Sequence, residues 1–328
     1  MRPWEACAAW NESRLLAESA AARAKILGAA LTADHVQQAY GALLPKLRGR
    51  RIVFMGDSLH RQLFVSFACL LHSACPPCFT RWNAYWFPAT PRLGPGQGKK
   101  CHSETRCDFS SATIEFDAAR KEGGANASFE LHTCEVNDWR GASSGSLATA
   151  SPSMSKCMKR FHSLRSKDVL IYGSTGLHAI GRNTAMNSPA HLAAYAKAEV
   201  QALLYNVNRT YSTARRPHIL WRELTAPHWD TPTGFFYPGL NISLTRFVTP
   251  WLNRHFCSAN QTAQAEGNSW NAAANAQLAA IVPILRVWDL SITAHDAHTA
   301  FGDCTHFCLP GVPDAWSRQL AGVLRSLL

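Results

Sequence analysis

The chain has 328 residues, of which 47% are hydrophobic, and this suits one large domain or two small ones with an apolar core. Its 33 basic and 22 acidic residues leave a net charge of +11. The basic residues are scattered without a zinc-finger or RNA-binding signature, so we expect a generally basic surface and no nucleic-acid partner. No stretch reaches the roughly 18 to 20 apolar residues that span a bilayer.

The first half of the chain predicts a helical segment, a strand and a second helix. Residues 12–45 are rich in Ala, Leu and Lys/Arg at helical spacing, and we assign residues 1–49 to a helical N-terminal segment. RIVFMG (51–56) predicts a buried strand. From Ser58 onward the apolar residues recur on one helical face: Leu59, Leu63, Phe64, Phe67, Leu70 and Leu71. Ser58 therefore lies where a strand passes into a helix.

Residues 73–140 predict an insertion in a catalytic domain that covers residues 50–328. Residues 73–110 combine proline, glycine, cysteine and many aromatic residues, and predict an irregular segment stapled by disulfides. Two runs with period-two alternation follow, ATIEFD and ASFELHTCEV, and these predict a hairpin.

The second half alternates between strand and helix patterns. Three runs predict buried strands (168–173, 218–223 and 286–290), and helical patterns lie near 189–208, 243–256 and 268–283. Pro283 is expected to end the last of these, and Asp314 to be the N-cap of a final helix. This alternation predicts an α/β fold with a mostly parallel sheet covered on both faces.

The cysteines and glycosylation sequons indicate an oxidising secretory compartment. There are eleven cysteines, and Asn-x-Ser/Thr sequons begin at Asn11, Asn126, Asn208, Asn241 and Asn260. The odd count leaves at least one thiol unpaired or bonded outside the chain. The N-terminal residues contain no signal-peptide core, so we expect a native membrane anchor to be missing from this sequence.

A zinc site is the competing interpretation of part of this cysteine pattern. Cys75 and Cys78, with Cys101 and Cys107, have spacing that zinc permits. We favour disulfides, because an oxidising lumen pairs thiols, and we expect no metal.

Ser58 has possible partners at the far end of the chain. A serine at a helix N-terminus can expose its Oγ above the sheet, where free backbone N–H groups can stabilise an oxyanion. Asp303 and His306 are three residues apart in GDCTHFCLPGVPDAW, so one turn of chain can bring carboxylate and imidazole together. The alternative is a purely structural role, in which Ser58 only caps its own helix and Asp303 and His306 only cap the last helix of the chain.

Two motifs resemble a known family. GDSLHRQ and DCTHFCLPGVPDAW are similar to the first and last blocks of the plant trichome-birefringence-like proteins and their PC-esterase relatives, in the SGNH/GDSL superfamily. The resemblance extends over roughly residues 50–328. It implies a three-layer, flavodoxin-like SGNH fold with Ser58 as nucleophile, His306 as general base and Asp303 as its orienting acid. Gly56 and Asp57 complete the first block.

The resemblance is looser in the middle of the chain. Thr175, Gly176 and His178 correspond to a family segment after a strand, although Ser174 replaces the family's asparagine. Arg222 and His228 match a segment that lies near the cleft. From the residues alone, Arg61 either positions a substrate or pairs with a carboxylate, and His60 is interpreted as a helix-surface residue.

The resemblance implies a polysaccharide or glycan O-acetyltransferase that acts through an acetyl-serine. It further implies a secretory location, in the Golgi lumen or after secretion. No bound cofactor is expected, but an acetyl donor must be supplied. Two alternatives remain open: a carbohydrate acetylesterase with the same triad, and a non-catalytic glycan-binding protein that uses loop tryptophans.

Overall fold

The computed structural model describes a core of eleven ranges. These are residues 33–86, 109–116, 127–133, 159–173, 188–229, 234–235, 257–258, 265–295, 297–300, 303–307 and 311–328. The predictions for residues 1–32 and 243–256 therefore lie outside the described residues.

Helices and strands alternate along most of this core. In chain order the elements are α1 (Ala33–Gly41), β1 (Arg51–Gly56), α2 (Ser58–Ala74), β2 (Phe79–Trp86), β3 (Phe109–Phe116), β4 (Ala127–Thr133), β5 (Val169–Gly173), α3 (Pro189–Thr210), β6 (His218–Arg222), α4 (Ser269–Leu278), β7 (Ile284–Leu285), α5 (Trp288–Ser291), β8 (His298–Ala300), β9 (Asp303–Phe307) and α6 (Val312–Leu327). Short 3₁₀ helices occur at Leu44–Leu47, Pro76–Cys78 and Thr213–Arg215.

The central sheet of the described residues has seven strands in the order β2-β3-β4-β1-β5-β6-β7. The strands from β4 to β7 in this order pair in parallel, whereas β3 is antiparallel to both β2 and β4. A separate two-stranded antiparallel sheet consists of β8 and β9. The mostly parallel sheet predicted from the sequence is confirmed.

Helices cover both faces of this sheet. Ile52 and Phe54 of β1 lie in one apolar cluster with residues of α1, α2 and α6. Val53 and Met55, the alternate residues, lie in a second cluster with α3 and α4. Alternate side chains of one strand thus enter two different cores, which is why the run reads as continuously apolar. The three-layer α/β architecture is confirmed.

Several predicted elements are confirmed at the level of individual residues. The strand over 51–56, the helix from Ser58, and the strands near 168–173 and 218–223 are present as β1, α2, β5 and β6. The predicted hairpin is the antiparallel pair β3 and β4, which runs from Ser111↔His132 to Phe116↔Ala127. The helical patterns near 189–208 and 268–283 are α3 and α4, although α4 ends at Leu278, before Pro283.

The predicted strand at 286–290 is wrong. The strand there is β7, which ends at Leu285, and Trp288 begins the short helix α5. The physical reason is the buried carboxylate of Glu223, whose Oε2 accepts hydrogen bonds from Val287 N at 3.0 Å and Trp288 N at 3.3 Å. A carboxylate that satisfies these N–H groups favours a helix start.

Asp314 is not the N-cap of the last helix, contrary to prediction. The helix α6 begins at Val312, so Asp314 is its third residue. From there its Oδ2 accepts a hydrogen bond from the backbone N–H of Gly311 at 2.6 Å. The carboxylate therefore stabilises the helix start from inside the first turn.

The segment predicted to be irregular, 73–110, contains one whole strand and the start of a second. The aromatic run Phe79–Trp86 is β2, and it extends the central sheet by pairing with β3. Within the same segment a disulfide joins Cys75 to Cys78, which removes both thiols from the zinc alternative. The domain boundaries at residues 49 and 140 stay predictions.

Candidate active site

Ser58 is the first residue of α2 and follows β1 after a single residue, Asp57. Asp57 is the N-cap of the helix, because its Oδ1 accepts hydrogen bonds from Leu59 N at 3.0 Å and His60 N at 3.3 Å. Ser58 is therefore not needed as the cap, and its hydroxyl makes a different contact. The alternative in which Ser58 only caps the helix does not fit this arrangement.

The hydroxyl of Ser58 contacts the imidazole of His306. The distance from Oγ to Nε2 is 2.6 Å, although the two residues are 248 apart in the sequence. Both side chains are half-buried, at the end of the sheet where β1 finishes. When Nδ1 carries the ring hydrogen, Nε2 can accept the serine proton, and this is the contact that general-base activation of a serine requires.

Asp303 begins the strand that carries His306. Asp303–Phe307 is β9, so the backbone forms a strand here, in place of the turn predicted from the sequence. The Asp303 side chain lies outside the described residues. Its role as the acid that orients His306 stays a prediction.

The strand β9 is bonded to neighbouring segments along its length. The carbonyl of Cys304 accepts from His228 N at 2.8 Å, and a disulfide joins Cys304 to Cys257. The carbonyl of His306 itself accepts from Nδ1 of His298 at 2.8 Å. The imidazole of His306 therefore projects from a strand whose backbone is hydrogen-bonded at several points.

His228 supports this arrangement from a buried position. Its ring is fully buried, with Nδ1 at 2.8 Å from Nε2 of His298 and Nε2 at 3.1 Å from Ile292 O. His228, which was predicted to lie near the cleft, has no exposed surface, and its contact with substrate stays a prediction. It belongs to a chain of buried contacts that ends on the backbone of His306.

Arg222, which was predicted to lie near the cleft, is also buried, and its contact with substrate stays a prediction. It ends β6 with no exposed surface, and its Nη2 lies 3.3 Å from Oδ1 of Asp57. Its Nε donates to Nδ1 of His60 at 2.9 Å. Arg222 therefore neutralises the carboxylate that caps α2.

His60 is fully buried, so its interpretation as a helix-surface residue is wrong. Burial lowers the pKa of His60 from 6.5 to about 4, and the charge of Arg222 acts in the same direction. The imidazole is therefore neutral at physiological pH. Because Nδ1 accepts the hydrogen bond from Arg222, the ring hydrogen of the neutral form is on Nε2.

Two glycines make room for the His60 ring. A Cβ at Gly173 would lie 1.4 Å from Cε1 of His60, and a Cβ at Gly56 would lie 2.5 Å from Nδ1. These glycines end the adjacent parallel strands β5 and β1. Gly56, predicted as part of the first motif, thus provides the space that the His60 ring occupies.

The structure gives less information on the other residues that were predicted for the site. Arg61 is half-buried on α2, and its contact with substrate stays a prediction. Thr175, Gly176 and His178 follow β5 and lie outside the described residues. Sequence reasoning missed Gln62 and His298; the position of Gln62, four residues after Ser58, was an available signal for the former.

No helix of the described residues is both long and apolar enough to cross a lipid bilayer.

Comparison with known proteins supports one family. Residues 40–116 and 286–323 match the model of PC-Esterase, a GDSL/SGNH-like acyl-esterase family found in Pmr5 and Cas1p. These two stretches include Ser58 and His306. Trichome birefringence-like 38 of Arabidopsis thaliana is 23% identical over 305 residues, which cover 87% of this chain and 68% of that protein.

Among solved structures, an inhibitor-bound aryl esterase of M. smegmatis aligns with a TM-score of 0.38 and 15% identity, over 85% of this chain and 100% of that one. A carbohydrate acetylesterase of Sinorhizobium meliloti, Est24, aligns with a TM-score of 0.36 and 14% identity, again over 85% of this chain and 100% of the other. The family match and the curated relative therefore agree, and the chain is similar to the PC-esterase family and to the trichome birefringence-like proteins.

Proposed function

We propose that this protein transfers an acetyl group through an acetyl-serine onto a hydroxyl of a polysaccharide or glycan. The observation that carries the proposal is the 2.6 Å contact between Ser58 Oγ and His306 Nε2. Family membership supports acyl chemistry at this contact.

In the first half-reaction, Ser58 Oγ attacks the carbonyl carbon of an acetyl ester or thioester while His306 takes the hydroxyl proton. The tetrahedral intermediate collapses, the bond to the donor's leaving group breaks, and His306 returns the proton to that group. Asp303 is proposed to orient the imidazole and to stabilise its protonated form.

The oxyanion of this intermediate needs hydrogen-bond donors. The backbone N–H of Ser58, at the N-terminus of α2, is one candidate. Further donors are proposed from Arg61 and from Thr175, Gly176 and His178, in the loop after β5.

In the second half-reaction, a sugar hydroxyl loses its proton to His306 and attacks the acetyl-serine. The Ser58 ester bond breaks, the acetylated glycan leaves, and the proton returns to Ser58. If water takes the place of the sugar, the same residues make the protein a carbohydrate acetylesterase. The family's description as acyl-esterases favours keeping this second candidate. A glycan binder without catalysis is the least supported, since it leaves the contact between Ser58 and His306 without a purpose.

The compartment proposed is the secretory pathway, in the Golgi lumen or after secretion. The disulfides Cys75–Cys78 and Cys257–Cys304 fit an oxidising lumen. Asn208, which begins a glycosylation sequon, is exposed near the end of α3. The acetyl donor is proposed to be a separate small molecule, with no cofactor resident in the protein.

Incubation with p-nitrophenyl acetate and a panel of oligosaccharides tests this function. We expect an acetyl mass gain on the peptide that contains Ser58, its absence in Ser58→Ala, and acetylated sugar among the products. Acetate release without acetylated sugar, for any oligosaccharide or donor, would favour the esterase. Absence of both the adduct and acetate release in the unmodified protein would overturn the catalytic proposal.

A further inference from the structure

We propose that Gln62 is a positioning residue that sets the distance between Ser58 Oγ and His306 Nε2. This inference rests on the function proposed above, because it concerns the same two reacting groups. The residue touches neither of them and acts through the backbone of Phe307.

Both ends of the Gln62 amide bind one backbone residue. Its Nε2 donates to Phe307 O at 2.6 Å, and its Oε1 accepts from Phe307 N at 3.2 Å. The side chain is 6% exposed, so the two bonds form away from bulk water. Gln62 thus binds Phe307 as a neighbouring strand would bind it, with one donor and one acceptor.

The two bonds connect the helix of the nucleophile with the strand of the base. Ser58 and Gln62 are four residues apart on α2, so they lie one turn apart on the same side of the helix. His306 and Phe307 are consecutive in β9. The reacting contact and the amide contact therefore join the same two elements side by side.

The other bonds of β9 lead to different elements. Trp229 Nε1 donates to Thr305 Oγ1 at 2.9 Å, and His298 binds the His306 carbonyl. These fix β9 relative to the segment after β6 and to β8. The Gln62 bonds fix it relative to α2, and this relation decides whether Ser58 can reach His306.

The chemistry at this position requires an amide. Glutamine offers a donor and an acceptor at once, whereas an ionised glutamate is an acceptor only and would face the Phe307 carbonyl with no hydrogen to donate. A buried acceptor facing another acceptor is unfavourable, so the strand would be displaced from the helix. Displacement on the order of 1 Å at a reacting pair lowers the rate by about a hundredfold.

A matched control exists on the opposite face of the sheet. Asn271, on α4 and 1% exposed, also binds one backbone residue with both amide atoms. Its Oδ1 accepts from Leu224 N at 2.9 Å and its Nδ2 donates to Leu224 O at 3.1 Å. Loss of this amide removes two bonds of the same kind, and these bonds lead to the segment after β6, not to β9.

The test measures covalent labelling of Ser58 by an alkyl fluorophosphonate in the full-length protein. In this reaction Ser58 Oγ forms a bond to phosphorus, fluoride leaves and His306 takes the proton, so no natural substrate is needed. Gln62→Met and Asn271→Leu are compared at a temperature well below the melting point of each. We expect Gln62→Met to lower the maximal labelling rate at least about tenfold with the half-saturating probe concentration unchanged, and Asn271→Leu to stay within about twofold.

A conservative variant provides a second readout. In Gln62→Glu the protonated carboxyl can make both bonds, and the ionised form cannot. The labelling rate relative to the unmodified protein is expected to be close to one at low pH and to fall as the pH rises through the pKa of the new carboxyl. Should Gln62→Met fail to fold, this pH-graded ratio decides the question.

Two results would overturn the inference while leaving the proposed function intact. One is labelling of Gln62→Met at the rate of Asn271→Leu, and the other is a flat ratio for Gln62→Glu across pH. If the unmodified protein itself is not labelled at Ser58, the proposed nucleophile is wrong, and the role of Gln62 falls with it.

Discussion

The guanidinium of Arg222 donates a hydrogen bond to the imidazole of His60 where neither side chain has any exposed surface. The bond runs from Nε to Nδ1 over 2.9 Å, and it requires His60 to be neutral, since a protonated ring has no acceptor. The hydrogen bond between Arg222 and α2 therefore forms only while His60 is neutral.

This pair predicts loss of stability in acid. The pKa of His60 is 6.5 in an exposed setting and about 4 in the folded protein, so between these values the unfolded chain binds a proton that the folded one does not. The free energy of unfolding is expected to decrease by about 3 kcal/mol as the pH falls through this window. Urea unfolding at a series of pH values measures it.

The control for the acid prediction is His60→Gln, whose carbonyl can still accept from Arg222 but does not titrate. Its unfolding free energy should depend less steeply on pH between 6.5 and 4. Equal slopes for the two proteins would assign the acid sensitivity to other groups.

A second prediction concerns the space beneath His60. Gly173→Ala places a methyl group 1.4 Å from Cε1 of the ring, so the ring must move. Overpacking of this kind costs about 1–3 kcal/mol of unfolding free energy. The matched control is Gly322→Ala in α6, where nothing lies within 4 Å of the added atom, and here helix propensity should stabilise the protein. Both variants are measured by denaturant unfolding, and equal unfolding free energies for the two would contradict the prediction.

A third prediction tests the charge pair of Asp57 and Arg222. Arg222→Met leaves the Asp57 carboxylate buried beside a thioether, which is expected to cost about 3–5 kcal/mol. Adding Asp57→Asn removes the uncompensated charge and should recover part of the loss. The double-mutant cycle is measured by urea unfolding, and simple additivity of the two changes would show that the pair is not coupled.

How far the sequence predicts the burial of His60 and Gln62 depends on which elements pack against α2. The face that contains Leu59, Leu63 and Phe67 was predicted correctly. However, 12 of the 17 residues of α2 are buried, because the sheet, α1, α6 and β9 all pack on it. A single apolar face gives no sign that His60 lies against the glycines that end β1 and β5, or that Gln62 bonds to β9, so His60 was interpreted as exposed and Gln62 was overlooked.

Long-range polar contacts account for the other wrong predictions. The run at 286–290 has the residue types of a strand, but the carboxylate of Glu223 stabilises a helix start there. In contrast, Ser58 and His306 were predicted from local patterns, namely a strand that ends in Gly-Asp-Ser and a cysteine-flanked histidine. Their contact confirms that the chain ends meet, while the contribution of Asp303 stays a prediction.

A fourth prediction therefore addresses Asp303. Ser58→Ala and His306→Gln should abolish the acceleration of p-nitrophenyl acetate hydrolysis. Asp303→Asn should lower kcat by about a hundredfold or more, because the amide can hold the wrong imidazole tautomer. Full activity in Asp303→Asn at unchanged melting temperature would exclude the orienting role.

A fifth prediction concerns the disulfide close to His306. Cys257–Cys304 anchors β9 two residues before His306. Dithiothreitol, and separately the variant Cys257→Ser, are expected to slow fluorophosphonate labelling of Ser58, because β9 loses one of its attachments. The Cys75–Cys78 disulfide lies at the far end of α2, and Cys78→Ser serves as the comparison. Equal effects of the two substitutions would argue against a local role.

The packing of the His60 ring against the ends of β1 and β5 also restricts which substitutions can accumulate in the sequence during evolution. An imidazole at position 60 demands glycine at both 56 and 173. A homologue with a side chain at position 173 must have a smaller residue than histidine at position 60. The arginine at position 222 then loses the imidazole that accepts its hydrogen bond. These positions are therefore expected to change together during evolution, and an alignment of close homologues in which 60 and 173 vary independently would contradict the geometry described here.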